Sequence, residues 1–410
     1  MRARANAAHA HWIPPIPLAA GLAFQAASWL IAIAYGLAPA PGLAFAWVHA
    51  VALGWLTLTA LSVLLHVVPE FTDLAWRGER FARAAVLGVL AGTVLLIVAF
   101  AAASPPAVEF AAGALVLAIA VYVACVLLTT TQRAADRRSA AIARSLAAAL
   151  SMLLLTAVLG GVLAGAYAAG DPHLLTLAPA HALIGIGAWL TVLVSGVSAQ
   201  TFRPMLGARS RWPRLHVVAG ALLFFGPLIA AIGVPLSIPM LRVGAVIAGL
   251  GGLAYIVDAL DIARRATTPH PPVRAFVVAS VSWLAVACAC ALATVWGAPF
   301  GAAAVVAALI GWIGQMVNAH LHHLGVRVLT TLLRGNQDET RPWQVLDPRL
   351  TWTAFGFAQT AVLGLFAGAA TEIGAAFVAG GLAGCCAIVA IVANVRTVRR
   401  KLDSLPIGLV

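Results

Sequence analysis

The chain has 410 residues, of which 62% are hydrophobic and only 9% are charged, with 25 basic and 13 acidic residues. A soluble domain carries about 25% charged residues, so this composition excludes an ordinary soluble protein and places nearly the whole chain in a lipid bilayer. The net charge of +12 does not indicate nucleic-acid binding, because the basic residues lie in short loops between apolar segments. None of the five cysteines has Cys-x-x-Cys spacing, which argues against a disulfide framework or a thiolate metal site.

Apolar stretches long enough to cross a hydrocarbon core of about 30 Å recur twelve times along the chain. The predicted fold class is therefore all-α: one polytopic membrane domain over residues 1–410, about twelve transmembrane helices and no soluble domain. The predicted spans cover residues 15–37, 44–68, 82–103, 107–129, 145–167, 177–200, 215–235, 239–260, 274–296, 301–333, 351–370 and 373–394.

The positions of the basic residues predict the orientation. Every arginine and lysine except Arg242 lies in the amino-terminal tail, in the loops that follow even-numbered spans, or at the ends of spans next to them. The opposite loops are short and rich in proline and glycine. The positive-inside rule then places both termini in the cytoplasm, with the chain in the inner membrane of the cell.

Spans 2, 6 and 10 share a weak pattern that indicates an internal repeat. His49 precedes Trp55 in span 2, His181 precedes Trp189 in span 6, and Trp312 lies in span 10. These spans are four apart and run in the same direction, so we expect three four-helix arcs around a pseudo-threefold centre. The corresponding repeats cover about residues 15–129, 145–260 and 274–394.

A second regularity follows the three tryptophans. Eleven residues after each of them lie His66, Gln200 and His323. This spacing marks either a shared depth near the cytoplasmic ends of the spans or a coincidence.

Span 10 contains the densest group of polar side chains, with Asn318, His320, His322 and His323 in one apolar run. On a helix, His320 and His322 point about 200° apart, whereas His323 returns toward the side of His320. Polar groups in hydrocarbon are costly unless they are bonded, so one interpretation is that the helix offers imidazoles to metal cofactors on both sides. The alternative is that the histidines bond to backbone carbonyls or line a wet cavity.

Twelve spans, cytoplasmic termini and histidines on spans 2, 6 and 10 resemble the catalytic subunit of the haem–copper oxidase superfamily. That family has a ring of three four-helix arcs, and its tenth span carries His-x-His, as at His320-Leu-His322 here. The resemblance implies that His320 binds an active-site haem, and that His322 and His49 share a low-spin haem. One or two haems, and a copper ion, are therefore the expected cofactors.

Two further segments carry the resemblance. The run from His49 through Trp55 to Pro69 is similar to the His…Gly-Trp…Pro segment of cbb-type catalytic subunits. The opening His181-Ala-Leu is similar to segments of the NnrS-like haem and copper membrane proteins, and it places His181 where the oxidase family has a copper ligand.

The chain also departs from the oxidase pattern. The adjacent histidines that hold copper on span 7 are missing, since that span offers only His216 at its cytoplasmic mouth, where a solvated histidine is expected. Position 185 is glycine in place of the expected tyrosine. Span centres lack carboxylates, which weighs against a redox proton pump or an ion-coupled transporter. A complete copper site is therefore not expected.

Depth along the helices leaves the ligand assignment open. His49 lies about five residues from the outer end of its span, whereas His320 lies nearly twenty residues into span 10, a mismatch of about 20 Å at 1.5 Å per residue. The competing pair is His66 with His323, at matched depth. Arg242 either pairs with a haem propionate or extends to lipid headgroups. His270, in a loop, is expected to be solvated.

Two functions remain compatible with the sequence. The first is a haem-binding membrane protein that transfers electrons or binds O₂ or NO, with a quinone or a cytochrome subunit as redox partner; whether it is an oxidoreductase stays open. The alternative is a cofactor-free membrane transporter or scaffold.

Overall fold

The computed structural model describes residues 15–132, 136–335 and 340–404. Twelve of its helices are long and apolar enough to cross a membrane, and the part of the chain described contains no strand, which confirms the all-α prediction. The predicted amino-terminal tail and parts of two basic loops lie outside the described residues. We number the helices α1 to α12: Ile16–Leu37, Pro41–Pro69, Glu79–Ala101, Pro105–Thr130, Ser139–Ala169, Pro172–Leu206, Pro213–Leu236, Ile238–Arg264, Pro271–Val295, Gly301–Thr331, Pro348–Thr371 and Gly374–Ser404.

Proline and aspartate define many of the helix starts. Half of the helices begin at a proline, whose fixed φ and missing N–H suit the first helical turn. Asp171 precedes Pro172, and its carboxylate accepts a hydrogen bond from the backbone N–H of His173 at 2.8 Å. With this cap, α6 begins at Pro172, five residues before the predicted start of the span at residue 177.

Three helices occupy the middle of the bundle. The most apolar windows of α10, α2 and α6 are 72%, 67% and 50% buried, whereas no other helix exceeds 44%. Around them, α3, α4 and α5 pack in sequence, as do α7, α8 and α9, and then α11, α12 and α1. Each central helix packs against the helix before it and the helix after it in the chain. The structure is thus a ring of nine helices in three groups of three, with α2, α6 and α10 inside. The repeat boundaries in the sequence stay a prediction.

The central helices meet through their tryptophans. The indole N–H of Trp189 donates to Thr57 Oγ1 at 3.1 Å, and that of Trp312 donates to Thr191 Oγ1 at 3.2 Å. A Cβ added to Gly314 would lie 2.8 Å from the Trp55 ring. Each tryptophan therefore contacts a neighbouring central helix, at the residue two positions after the tryptophan of that helix. This closed set of contacts, the tryptophan ring, holds Trp55, Trp189 and Trp312 at about one depth.

Each central helix changes to π-helical geometry at the tryptophan ring. The π segments are Ala50–Thr57, Leu183–Thr191 and Ala307–Gly314, and α10 has a second one at Leu321–Gly325. Such segments are rare and occur often at functional sites, because the extra residue changes the direction of nearby side chains. Here they lie beside His49, His181 and the histidines of α10.

Candidate functional site

The tryptophan ring divides the histidines of the central helices into two levels. His49 and His181 lie six and eight residues before their tryptophans, whereas His320 and His322 lie eight and ten residues after Trp312. These groups lie toward opposite ends of the bundle. We name the ends by their loops: among the described basic residues only Arg242 lies at the basic-poor end, and the others lie toward the basic-rich end.

The structure does not bring His49 and His322 together. Sixteen residues of helix separate their levels, which corresponds to roughly 24 Å along the bundle axis at 1.5 Å per residue. The depth mismatch expected from the sequence is therefore present in the fold. His66 and His323, each eleven residues after a tryptophan, share a level near the basic-rich end. Their pairing around a haem stays a prediction.

His49 instead lies beside His181. Their ring centroids are 6.4 Å apart and their planes differ by 28°. His49 Nδ1 donates to the carbonyl of Phe45 at 2.8 Å, and His181 Nδ1 donates to the carbonyl of Thr156 at 3.1 Å. In a neutral imidazole with a protonated Nδ1, the Nε2 atom carries the free lone pair, which is the atom that would bind a metal.

A mainly apolar cavity of about 460 Å³ lies on the other side of the tryptophan ring. It extends from Trp55 and Ile313 near the middle of the bundle to Phe71 and Val398 at the basic-rich end. Its walls come from α1, α2, α6, α10, α12 and the segment before α11. Its polar lining side chains are Trp55, Thr59, Thr201, His320, His322 and Asn394.

His322 lines this cavity and has one ring nitrogen without a hydrogen-bond partner. Its side chain is 3% exposed, and its ring lies against Phe276 at 5.4 Å between centroids. Nδ1 donates to the backbone carbonyl of Asn318 at 2.8 Å, whereas the buried Nε2 has no hydrogen-bond partner. An unpaired buried nitrogen is costly, so a bound group that partners this atom would stabilise the protein.

The nitrogens of His320 are both bonded. Nδ1 donates to the carbonyl of Met316 at 2.7 Å, and Nε2 lies 2.7 Å from Thr201 Oγ1 on α6. A neutral ring with this arrangement accepts a hydrogen bond from Thr201. His320 is therefore held by two protein groups, which is the bonded state that the sequence left as an alternative to metal binding.

His270 is a site residue that the sequence did not predict. The loop between α8 and α9 carries it into the protein, where it is 8% exposed with an unbonded Nε2, so the expectation that it is solvated is wrong. It lines a narrow pocket with His322, His323 and Met205. Burial, with a smaller effect of the nearby His322, lowers the pKa of His270 to about 4. No pattern in the sequence distinguishes this histidine from an exposed one.

Polar side chains of the three central helices have mixed roles. Asn318 does so through its backbone carbonyl, while its side-chain oxygen accepts a hydrogen bond from Gln25 at 3.4 Å. Gln315 instead accepts from Gln359 at 2.9 Å, and Thr57 belongs to the tryptophan ring. The residue that contacts a histidine side chain directly, Thr201, was not anticipated.

Two other predicted residues lie away from these histidines. The Arg242 guanidinium stacks on Trp296 at 5.4 Å at the basic-poor end, whereas the cavity opens toward the other end. His216 is not simply solvated, because its Nδ1 lies 3.0 Å from Oδ2 of the buried Asp258. Ser210 donates to the other oxygen of this carboxylate at 2.5 Å.

Within residues 15–132, 136–335 and 340–404, no three histidine, cysteine, aspartate or glutamate side chains form a group that could hold a metal ion. The structure therefore offers single or paired imidazoles in place of a three-ligand centre. The chain matches no protein-family model and, at a significant level, no curated protein sequence. What is established is a polytopic helical membrane protein with three histidine-bearing helices at its centre.

Proposed function

We propose that this chain is a haem-binding integral membrane protein in which His322 is the axial ligand of a haem in the apolar cavity. The observation that carries the proposal is the buried Nε2 of His322, which has no hydrogen-bond partner, on a residue of the cavity wall. A helix carbonyl orients the ring through Nδ1, as is usual for metal-binding histidines.

The cavity fits such a group by size and chemistry. Its volume of about 460 Å³ lies within the range of about 300–1,000 Å³ that is common for cofactor sites. Its walls are almost wholly apolar, as the face of a porphyrin requires, and it extends to the end where the basic residues lie. Carboxylates on a ligand would be best stabilised at that end, and not near Arg242 at the basic-poor end.

A bound haem would supply electron transfer or the binding of a diatomic gas. His322 would hold it from one side, and Asn318 would fix the ring direction. His49 lies roughly 24 Å from the level of His322 along the axis, so it is not proposed as the second axial ligand. The competing pair from the sequence, His66 with His323, stays a prediction. The partner that exchanges electrons with the protein, a quinone or a cytochrome subunit, remains part of this proposal.

The experiment is an absorption spectrum of the full-length protein, purified in detergent from haem-replete cells, with and without dithionite. We expect a Soret band and a reduced α band in the wild type and in His49→Ala, and their loss or strong shift in His322→Ala. An unchanged spectrum in His322→Ala would show that the ligand is a different residue. Absence of any band in the wild type would exclude haem binding.

The apolar lining of the cavity favours a second candidate, the cofactor-free binding or transport of an apolar molecule. In that case His320 and Thr201 would provide the polar contact for the ligand. The same spectrum separates the two candidates, because this function predicts no absorption band and unchanged stability on haem addition.

A further inference from the structure

We propose that an arginine-rich surface at the basic-rich end binds the headgroup of an anionic phospholipid. The surface is formed by the α6–α7 loop, the start of α7 and the end of α8. We call it the arginine cluster, and it consists of Arg209, Arg211, Arg214, Arg264 and Arg265. None of these residues lines the large cavity, and the proposal does not depend on haem binding.

Hydrogen bonds join the two segments of the arginine cluster. Arg265 Nη2 donates to the backbone carbonyl of Arg209 at 2.7 Å. The backbone N–H of Thr267 donates to the carbonyl of Leu206 at 2.9 Å. Gly207 ends α6 with a φ of 73°, and a Cβ at this position would clash with Thr267 Oγ1. Arginines that are more than fifty positions apart in the chain are therefore held on one surface.

A buried carboxylate orders the α6–α7 loop from inside the bundle. Asp258 is 1% exposed, its Oδ1 accepts from Ser210 Oγ at 2.5 Å, and its Oδ2 lies 3.0 Å from His216 Nδ1. Ser210 Oγ also accepts from the backbone N–H of Trp212 at 3.0 Å. Because both carboxylate oxygens are engaged by Ser210 and His216, Asp258 positions the loop and leaves the arginines at the surface without its pairing.

The positive charge of the arginine cluster is only partly balanced. Arg265 Nε donates to Asp261 Oδ2 at 2.9 Å, and the charges of Arg211 and Arg264 also act on this carboxylate. Over residues 207–216 and 258–265, five arginines face two aspartates, which leaves an excess of three positive charges. Guanidinium groups keep their charge and bind phosphate oxygens through two parallel N–H bonds. An anionic phosphate is therefore the complementary group.

The apolar surroundings favour a phospholipid over a soluble phosphate. Trp212, at the start of α7, is 45% exposed, and tryptophan is enriched at the interface between membrane and water. The helices α7 and α8 pack against each other, and both have exposed apolar side chains near the arginine cluster: Val217, Val218, Leu253 and Val257. A lipid can place its phosphate at the arginines and its acyl chains along these side chains.

The loop between α2 and α3 provides a matched comparison at the same end of the protein. It also carries three arginines, but they come from one segment of the chain, and Glu79 pairs with Arg83. The side chains of Arg77 and Arg80 are exposed. Replacing these two residues removes as much charge from the basic-rich end as replacing two members of the arginine cluster, without changing the proposed site.

The test is native mass spectrometry of the full-length protein, delipidated in detergent. The protein is titrated with phosphatidylglycerol, or with phosphatidylcholine that has the same acyl chains. We expect preferential binding of phosphatidylglycerol to the wild type. Arg211→Gln/Arg264→Gln should weaken it about twentyfold, since each arginine near an anionic lipid contributes roughly fivefold. The control Arg77→Gln/Arg80→Gln should weaken it by about twofold at most, as expected for distant, screened charges.

Two further measurements keep the test decisive. Excess inorganic phosphate should not displace phosphatidylglycerol, because it lacks the acyl chains. Unfolding temperatures without lipid show whether each variant is folded, and the exposed Arg209→Gln, expected to weaken binding roughly fivefold, replaces the double variant if that one is unstable. Displacement by phosphate, equal binding of phosphatidylcholine, full affinity in a folded cluster variant, or equal losses in the cluster and control variants would each overturn the proposal.

Discussion

The two ends of the central helices use the same residue type in different surroundings. At the basic-poor end, the rings of His49 and His181 lie beside each other with centroids 6.4 Å apart, and Phe100 and α5 pack around them. At the basic-rich end, His320 and His322 lie on the wall of a cavity of about 460 Å³. The first arrangement is closely packed, whereas the second leaves space for a flat organic group. The comparison shows that the packing around an imidazole, more than its presence, limits which cofactor it can bind.

Filling the cavity should have the largest effect, and this effect should be confined to the basic-rich end. Ala60 of α2 lines the cavity, and Ala60→Trp would place an indole where we propose the haem. We expect loss of the haem spectrum with His322 still present, while the protein still unfolds cooperatively when it is heated in detergent. Full haem content in this variant would contradict the cavity as the haem site, and the cooperative transition shows that the protein is folded.

A substitution in the tryptophan ring should lower the stability of the whole bundle, because the ring joins all three central helices. A Cβ at Gly314 would lie 2.8 Å from the Trp55 ring and 3.0 Å from the Leu309 carbonyl, so Gly314→Ala should destabilise the protein by about 1–3 kcal/mol. The measurement is the unfolding temperature in detergent. The matched control is Gly196→Ala on α6, where an added Cβ meets nothing within 4 Å. Equal unfolding temperatures would show that the ring is not a close-packed contact.

Acid should weaken the basic-rich end through His270. Its folded pKa of about 4 lies below the value of about 6.5 expected in the unfolded chain, so the unfolded state binds the proton first. The stability that depends on neutral His270 is complete above about pH 6.5 and decreases as the pH falls toward 4. The loss is on the order of 2–3 kcal/mol.

The measurement for His270 is the unfolding temperature between pH 7 and pH 4. His270→Gln removes the titrating group and should flatten this dependence, whereas the exposed His173→Gln should not. A wild-type curve that matches that of His270→Gln would mean that His270 is solvated, as its sequence position had indicated.

The smallest expected effect concerns the orientation of His320. Thr201→Val removes the hydroxyl 2.7 Å from His320 Nε2 and should cost about 1 kcal/mol of stability, because a partly buried nitrogen loses its partner. The control Thr360→Val changes a threonine on an exposed helix face. If Thr201→Val also frees His320 to bind haem, the spectrum of His322→Ala should partly recover in the double variant. No change in either measurement would exclude a role for this contact.

The hydrophobicity of the sequence was sufficient to predict the overall fold. Each of the twelve apolar runs is long enough to cross a bilayer as a helix, which satisfies the hydrogen bonds of its own backbone in lipid. The observed bounds of most helices differ from the predicted spans by a few residues. The pattern of His and Trp residues drew attention to spans 2, 6 and 10, and the structure places these three helices in the middle of the bundle. The repeat itself stays a prediction.

The pairing of histidines could not be obtained in that way. Sequence spacing gave the depth of each histidine but not its direction, and π-helical segments beside His49, His181 and His322 change the direction in which side chains project. The expected pair of His49 with His322 was taken from a resemblance, and the fold keeps these residues far apart. His270 was overlooked because a loop that folds inward has the same composition as one that remains exposed.

The sequence by itself determined a membrane-embedded, all-helical protein, because hydrophobicity and segment length are local properties that the bilayer converts directly into spans. Only the tertiary structure decided that His49 lies beside His181, that the cavity-lining His322 keeps a buried nitrogen without a hydrogen-bond partner, and that His270 is buried. Those relations depend on how separate helices pack and rotate against one another. That packing is set jointly by contacts such as the tryptophan ring, which join residues more than a hundred positions apart in the chain.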